Sequence, residues 1–326
     1  MGIGFETADT IAQATGVPQG SPQRVKASLQ FTLSEATSDG HCFLPEQDVI
    51  RAAIKILQVD TGLVIDCLAD LVAEQGVVRE SIPDPATGEP VVAVFLVPCH
   101  RAEISLAGQL RTLARTDADR LPAFEGVDWD RVLGWLHRRT GTELAPEQAA
   151  AVRMALTEKV AVLTGGPGCG KSFTVRSIVT LAATRNAKIV LTAPTGRAAK
   201  RLTQLSGHDA VTVHRLLELR PGGDAAYDRD PRWTPTWWWS TRRRCWTCCW
   251  PTSWSRRSRR GAHLLLVGDV DQLPSVDAGE VLRDLLAPGN PLPSVRLNRI
   301  FRQAARSGVV TNAHRINARD YPRSGC

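Results

Sequence analysis

The chain has no uninterrupted apolar run approaching the roughly 20 residues that span a bilayer, so its sequence gives no sign of a membrane-crossing role. Its first residues, Met1-Gly2-Ile3-Gly4-Phe5-Glu6, show no basic leader ahead of an apolar core. Glu6 also stands where a myristoylation signal needs Ser or Thr. A cytoplasmic protein without a membrane partner is expected. The eight cysteines show no paired spacing and read as free thiols of a reducing compartment. Acidic residues are missing altogether from Trp233 to Arg260, a stretch that holds seven arginines and seven of the nine tryptophans. Without those seven arginines the 40 basic residues fall to 33, equal to the acids, so the net charge of +7 is local. It does not by itself argue for a nucleic-acid partner.

What is present begins with Val162-Leu163-Thr164-Gly165-Gly166-Pro167-Gly168-Cys169-Gly170-Lys171-Ser172, an apolar run feeding a glycine turn that ends in Lys-Ser. The spacing is that of the Walker A phosphate loop. Glycines let backbone N–H groups turn inward around an anion, and the helix that follows presents its positive end to the same phosphates. Lys171 is expected on the β- and γ-phosphates of ATP and the Ser172 hydroxyl on Mg²⁺. Residues 159–163 read as a buried strand and 173–183 as a helix, the context such a loop needs.

Upstream, Gly2-Ile3-Gly4-Phe5 with Ala8 and Ile11-Ala12 resembles the second half of a helix-hairpin-helix. Residues 28–35, 45–57 and 60–75 carry helical apolar spacing, and 77–79 and 91–97 read as two strands of a hairpin. A winged-helix-like module is expected there, as readily a spacer as a DNA contact. Residues 101–115 and 132–139 continue as helices, and Pro146 opens the helix before the phosphate loop. Downstream, strands at 188–193 and 263–267 alternate with the basic helix that starts near Gly196, which signals a parallel sheet. The fold class is therefore α/β. The expected organisation is a partial helix-hairpin-helix at 1–20, a helical module at 21–115, a connection at 116–140, an ATP-binding domain at 141–288 and the start of a further domain at 289–326.

Several motifs in order carry a family resemblance. They are Gln148 ahead of the phosphate loop, Thr192-Ala193-Pro194-Thr195-Gly196-Arg197-Ala198-Ala199, Thr212-Val213-His214-Arg215-Leu216-Leu217, Gly268-Asp269-Val270-Asp271-Gln272-Leu273-Pro274 and Arg299-Ile300-Phe301-Arg302-Gln303. Together they resemble the RecD-like ATP-dependent DNA helicases of superfamily one. The Gly40-His41-Cys42-Phe43-Leu44-Pro45 segment belongs to the same likeness. The resemblance implies a RecA-like P-loop NTPase domain that is half of a two-domain motor moving 5′ to 3′ along single-stranded DNA, or on DNA with a single-stranded tail. It implies that Gln148 reads adenine, that Gly165 to Ser172 hold the phosphates and Mg²⁺, and that Gln272 couples the γ-phosphate to DNA. Arg302 then corresponds to the arginine finger, Thr195, Gly196 and Arg197 to the DNA-backbone loop, and His214 to a motif near the strand path.

Two departures weigh on activity. The chain stops at Cys326, soon after Arg302, and a shortened second domain is expected. No apolar strand ending in Asp-Glu lies between His214 and His263, where the family keeps its magnesium-binding and water-activating pair. A non-catalytic fragment that binds ATP and DNA, or a small P-loop kinase, therefore stand beside the helicase.

The tryptophan–arginine stretch has neither helical nor strand period, and residues 221–260 are expected to be poorly ordered. Cys245-x-x-Cys248-Cys249 has the spacing of half a zinc site, but no second Cys/His pair follows. A different reading comes from the codons. Trp has the single codon TGG, so codons started at the third base give Val at positions 237 and 238. The same shift forces Leu at 245, Asp at 246, Leu at 248 and 249 and Ala at 250, and it permits Val-Asp-Glu at 239–241 and Ala-Ser-Met at 242–244. The shifted reading is compatible with Val-Val-Val-Asp-Glu-Ala-Ser-Met-Leu-Asp-x-Leu-Leu-Ala, an apolar strand ending in an acid pair, with the normal frame resuming by about Gly261.

Overall fold

The computed structural model describes residues 5–84, 87–119, 121–216, 237–241, 261–271 and 278–301, with Asn312, Arg315 and Ile316 beyond them. The described chain forms two compact units. One comprises the residues up to Ser105 with Ala278 and Gly279, and the other the residues from Leu106 on, apart from those two.

In the first unit, α1 (Phe5–Ala14) is tied to α2 (Pro22–Ser38) by the Arg24 guanidinium. Arg24 donates to the Asp9 carboxylate at 2.6 Å, and Phe5 stacks on Phe31 with ring centroids 4.8 Å apart. Pro22 opens α2, where a missing N–H costs nothing. Val25, Leu29, Leu33 and Ala36 then recur at helical spacing and are buried. After β1 (Phe43–Pro45), α3 (Glu46–Leu57) buries Val49, Ala53 and Leu57. The Asp60 side chain caps α4 (Thr61–Ala73) through the Gly62 N–H at 2.7 Å, and α4 adds Val64, Cys67, Leu68 and Leu71 to the same core. Each such side chain contributes roughly 1.5–3 kcal/mol relative to exposure.

The expected hairpin is β2 (Val77–Pro83) and β3 (Pro90–Leu96), paired antiparallel from Val77 opposite Leu96 to Pro83 opposite Pro90. Strand β1 was not foreseen. It pairs with the other edge of β3, with Phe43 opposite Phe95, and completes a sheet of order β1-β3-β2. Three residues are too few to show a period, and of them only Pro45 falls in the helix expected over 45–57, which begins instead at Glu46.

Helix α5 (Val97–Ala114) leads to a short 3₁₀ turn (Pro122–Phe124), α6 (Trp129–Thr140) and α7 (Pro146–Thr157). A parallel sheet follows, built from β4 (Val160–Gly165), β5 (Ile189–Ala193), β6 (Ala210–Thr212), β7 (Trp237–Thr241), β8 (His263–Val267) and β9 (Ser294–Leu297). Its order is β6-β5-β7-β8-β4-β9. Strands β4 and β8 are buried along their whole length, which is why they read as continuous apolar runs rather than alternating ones. Helix α8 (Lys171–Thr184) packs on α7 and α9 (Gly196–Ser206), and α10 (Val213–Leu216) follows β6. Val175, Ile178, Val179 and Ala182 of α8 join Leu163, Leu191 and Leu265 in one core.

Strand β7 departs from the disorder expected across 221–260. Backbone pairing to β5 on one side and β8 on the other holds Trp237–Thr241, and such pairing requires no side-chain period. The remainder of that stretch, including Cys245, Cys248 and Cys249, lies outside the described residues. Among the described residues, Cys42, Cys67, Cys99 and Cys169 are buried and form no disulfide. No described helix is long and apolar enough to cross a membrane.

Candidate nucleotide-binding site

Strand β4 ends at Gly165, and the loop that follows turns directly into α8. Two glycines of this turn have no substitute. A Cβ on Gly165 would come within 2.6 Å of the Leu297 carbonyl oxygen of β9. Gly170, at φ +82, precedes the first residue of α8, and a Cβ there would sit 2.4 Å from Gln148 Nε2 and 2.9 Å from the Phe301 ring. The loop is thus pressed between its neighbours where it enters α8, and the N-terminus of a helix is the end that suits an anion.

Lys171 Nζ spans this mouth. It donates to the carbonyl oxygens of Gly165 and Gly166, the latter at 2.8 Å, and lies 4.0 Å from Asp269 Oδ2. Asp269 is the second residue after β8, is only 5% exposed, and accepts from the Asp271 N–H at 3.2 Å. Ser172, in the first turn of α8, is exposed. Cys169 is buried in the loop, and burial raises its thiol pKa, so it stays protonated at neutral pH.

Gln148 lies at the first turn of α7 and is 2% exposed. Its Oε1 accepts the Ala145 N–H at 3.1 Å, while its Nε2 is buried without a partner. An unpaired buried donor costs about 1–3 kcal/mol. A purine edge entering beside Gly170 would satisfy it. These features fit a nucleoside triphosphate: N–H groups and an ammonium for phosphates, an orphan amide for the base, and oxygen donors of the kind Mg²⁺ takes.

The other expected residues lie further along the same carboxyl edge. Thr195 accepts from the Ala198 N–H at 3.2 Å and caps α9, on which Arg197, Lys200 and Arg201 are exposed at i, i+3 and i+4 and so share a face. Gly196 opens that helix, and His214 is exposed on α10. Strand β5 is three places from β4 in the sheet, about 14 Å at ordinary strand spacing, so these residues form a second locus rather than part of the phosphate mouth. Gln272 and Arg302 lie outside the described residues. Their flanks are defined: Asp271 accepts from Arg296 at 2.7 Å, and the Phe301 N–H reaches the Gly168 carbonyl at 3.4 Å.

Asp269 was not singled out from the sequence as a site residue. The available signal was its place as the first charged residue beyond a fully buried strand, where open parallel sheets bind ligands.

A parallel sheet with a phosphate loop after one strand and polar residues at the carboxyl ends of its neighbours defines a P-loop NTPase domain. Family models match an AAA domain at residues 148–238 and again at 254–323, and the helix-hairpin-helix domain of the ATP-dependent RecD2 DNA helicase at 1–43. The ATP-dependent RecD2 DNA helicase of Deinococcus radiodurans is 33% identical over 339 aligned residues, covering 96% of this chain and 43% of its own length. The RecBCD enzyme subunit RecD of Mycobacterium tuberculosis is 37% identical over 163 residues, covering 43% of this chain and 28% of its own. The chain belongs to the RecD-like helicases of superfamily one, and it spans less than half the length of these curated relatives.

Proposed function

We propose that this chain is the nucleotide-binding part of a cytoplasmic RecD-like DNA helicase, a motor that hydrolyses ATP to move 5′ to 3′ on single-stranded DNA. The observation that carries this reading is the phosphate loop with Lys171 across its mouth and the unpartnered Gln148 amide beside Gly170. In this role Lys171 exchanges its loop carbonyls for β- and γ-phosphate oxygens, which make stronger, charge-assisted partners. Gly168, Cys169 and Gly170 offer N–H groups to the phosphates, and Gln148 reads the base. The Ser172 hydroxyl and the Asp269 carboxylate are the chain's own oxygen donors for Mg²⁺, which would neutralise phosphate charge. Gln272 links the γ-phosphate to the DNA path, and Arg302 supplies the arginine finger. Thr195, Gly196, Arg197 and His214 hold the DNA backbone, with the basic face of α9 repelled by nothing acidic on its own surface.

A second reading is favoured by one observation. As written, β7 ends in Ser240-Thr241, so no acid pair stands at its carboxyl end to orient water. The chain is then an ATP- and DNA-binding protein with at most trace hydrolysis. An ATPase assay with and without single-stranded DNA separates the readings. ATP binding with trace turnover is expected of this chain, and DNA-stimulated turnover at several per second would contradict it. Turnover that needs a small acceptor instead would indicate a kinase.

A further inference from the structure

Strand β7 occupies a central slot of the sheet, between β5 and β8. The other central strands are the kind such slots select: Ile-Val-Leu-Thr-Ala in β5 and His-Leu-Leu-Leu-Val in β8 on its two sides, and Val-Ala-Val-Leu-Thr-Gly in β4 beyond β8. Trp-Trp-Trp-Ser-Thr is the exception. The third-base reading forces Val at the first two positions of β7 and permits Val-Asp-Glu at the other three, so Val-Val-Val-Asp-Glu fits the strand residue for residue. The register then fixes where the acids fall. Position 240 is opposite Thr192 and Leu266, and position 241 is opposite Val267, which is itself opposite Leu163 of β4. The pair therefore ends its strand level with Leu163, two residues before Gly165, on the same edge as Asp269.

We propose that the stretch from about residue 224 to 260 is a coding segment read one frame away from its functional sense. In that sense, Asp and Glu stand in place of Ser240 and Thr241 as the metal-binding and water-activating pair of this site. Three independent features agree. The codons of Trp237, Trp238, Cys245, Trp246, Cys248, Cys249 and Trp250 force an apolar, Leu-rich reading with one Asp. The strand bounds coincide with Val-Val-Val-Asp-Glu. The two AAA-domain matches stop at 238 and resume at 254, inside the shifted segment, so that neither covers residues 239–253. In P-loop NTPases a strand-borne Asp holds Mg²⁺ beside the phosphates, and β7 stands two places from β4, with β8 between them and all three carboxyl ends on one edge. The assignment of the pair's role rests on the nucleotide site proposed above, whereas the frame itself does not.

Reading the coding DNA across residues 224–262 tests the frame directly. The expected result is adjacent Asp and Glu codons in the third-base frame at positions 240 and 241; any other pair there overturns the inference. The role is tested by rebuilding the chain with the shifted reading restored and measuring ATP affinity with and without Mg²⁺. The rebuilt chain should gain about tenfold or more in affinity from Mg²⁺ beyond any gain shown by the chain as written. Glutamine and asparagine in place of the two acids should abolish that extra gain. Equal Mg²⁺ dependence in all three chains would overturn the role. Failure of the chain as written to bind ATP at all would count against the nucleotide site and leave the codon result standing.

Discussion

The two ends of the parallel sheet treat charge in opposite ways. At the amino end, Asp119 sits between Lys159, at 2.6 Å, and His263 Nε2, at 2.8 Å, and also accepts the Leu121 N–H at 2.6 Å. Here every charged partner has its counterpart inside the protein. At the carboxyl end, Lys171 Nζ rests on carbonyl oxygens, Gln148 Nε2 has no partner, and α8 begins directly after Gly170. The first end pairs its cations with a carboxylate, and the second leaves an ammonium and an amide beside a glycine turn with no carboxylate among the described residues closer than 4.0 Å to Lys171. Charge and burial alone do not separate them, since His263 and Gln148 are both almost fully buried. Unused polar capacity alone does not separate them either, since His263 Nδ1 is as unpartnered as Gln148 Nε2; what sets the carboxyl end apart is the glycine turn with the Lys171 ammonium across it.

The comparison breaks most visibly at Lys171. Lys171→Ala should weaken ATP binding by about 10- to 100-fold, the equivalent of roughly 1.5–3 kcal/mol for a charge-assisted hydrogen bond, with little change in unfolding midpoint. Titration with a fluorescent ATP analogue checks this, and unchanged affinity would remove the nucleotide site.

Asp119→Ala should show the converse. It leaves Lys159 and His263 without their carboxylate and should lower stability by about 1–3 kcal/mol in urea unfolding while ATP affinity holds. A loss of ATP affinity as large as that of Lys171→Ala would mean that the two ends are not separate in function.

A pH series sharpens the amino end. Burial lowers the His263 pKa, outweighing the Asp119 hydrogen bond that would raise it. Burial also opposes ionisation of Asp119, but its bonds from Lys159, His263 and the Leu121 N–H outweigh that and hold its pKa low. Both folded-state values lie below the unfolded ones, so the unfolded chain takes up protons first as pH falls. Stability should be full above about pH 6.5, decline below it through His263, and decline again below about 3.8 through Asp119. Melting temperatures from pH 7.5 downward check this, and a rise in stability toward pH 5.5 would contradict it.

The smallest effect is expected at α9. Arg197→Ala should reduce single-stranded DNA affinity modestly and make the slope of log affinity against log salt shallower by about 0.7, one phosphate contact. An unchanged slope would take Arg197 off the DNA path.

Much of this was legible in the sequence, for reasons that are local. The phosphate loop, its flanking strand and helix, the Thr195 cap of α9 and the β8 strand each depend on residues adjacent in the chain, so spacing alone locates them. The β2–β3 hairpin was legible for the same reason. What escaped depends on distant partners. Strand β1 exists because β3 offers it an edge, and β7 because β5 and β8 flank a vacant slot. Asp119 finds Lys159 and His263 only through the fold. Asp269 was visible as a motif residue, but its 4.0 Å approach to Lys171 arises from the pairing of β8 with β4.

Hydrogen–deuterium exchange with and without ATP and Mg²⁺ tests the contrast between the two ends in one experiment. Nucleotide should slow exchange across Gly165 to Ser172 and the first turn of α7 at Gln148, and leave residues 116–121 and 261–263 unchanged. Protection confined to the amino end, or none at the phosphate loop, would contradict the account.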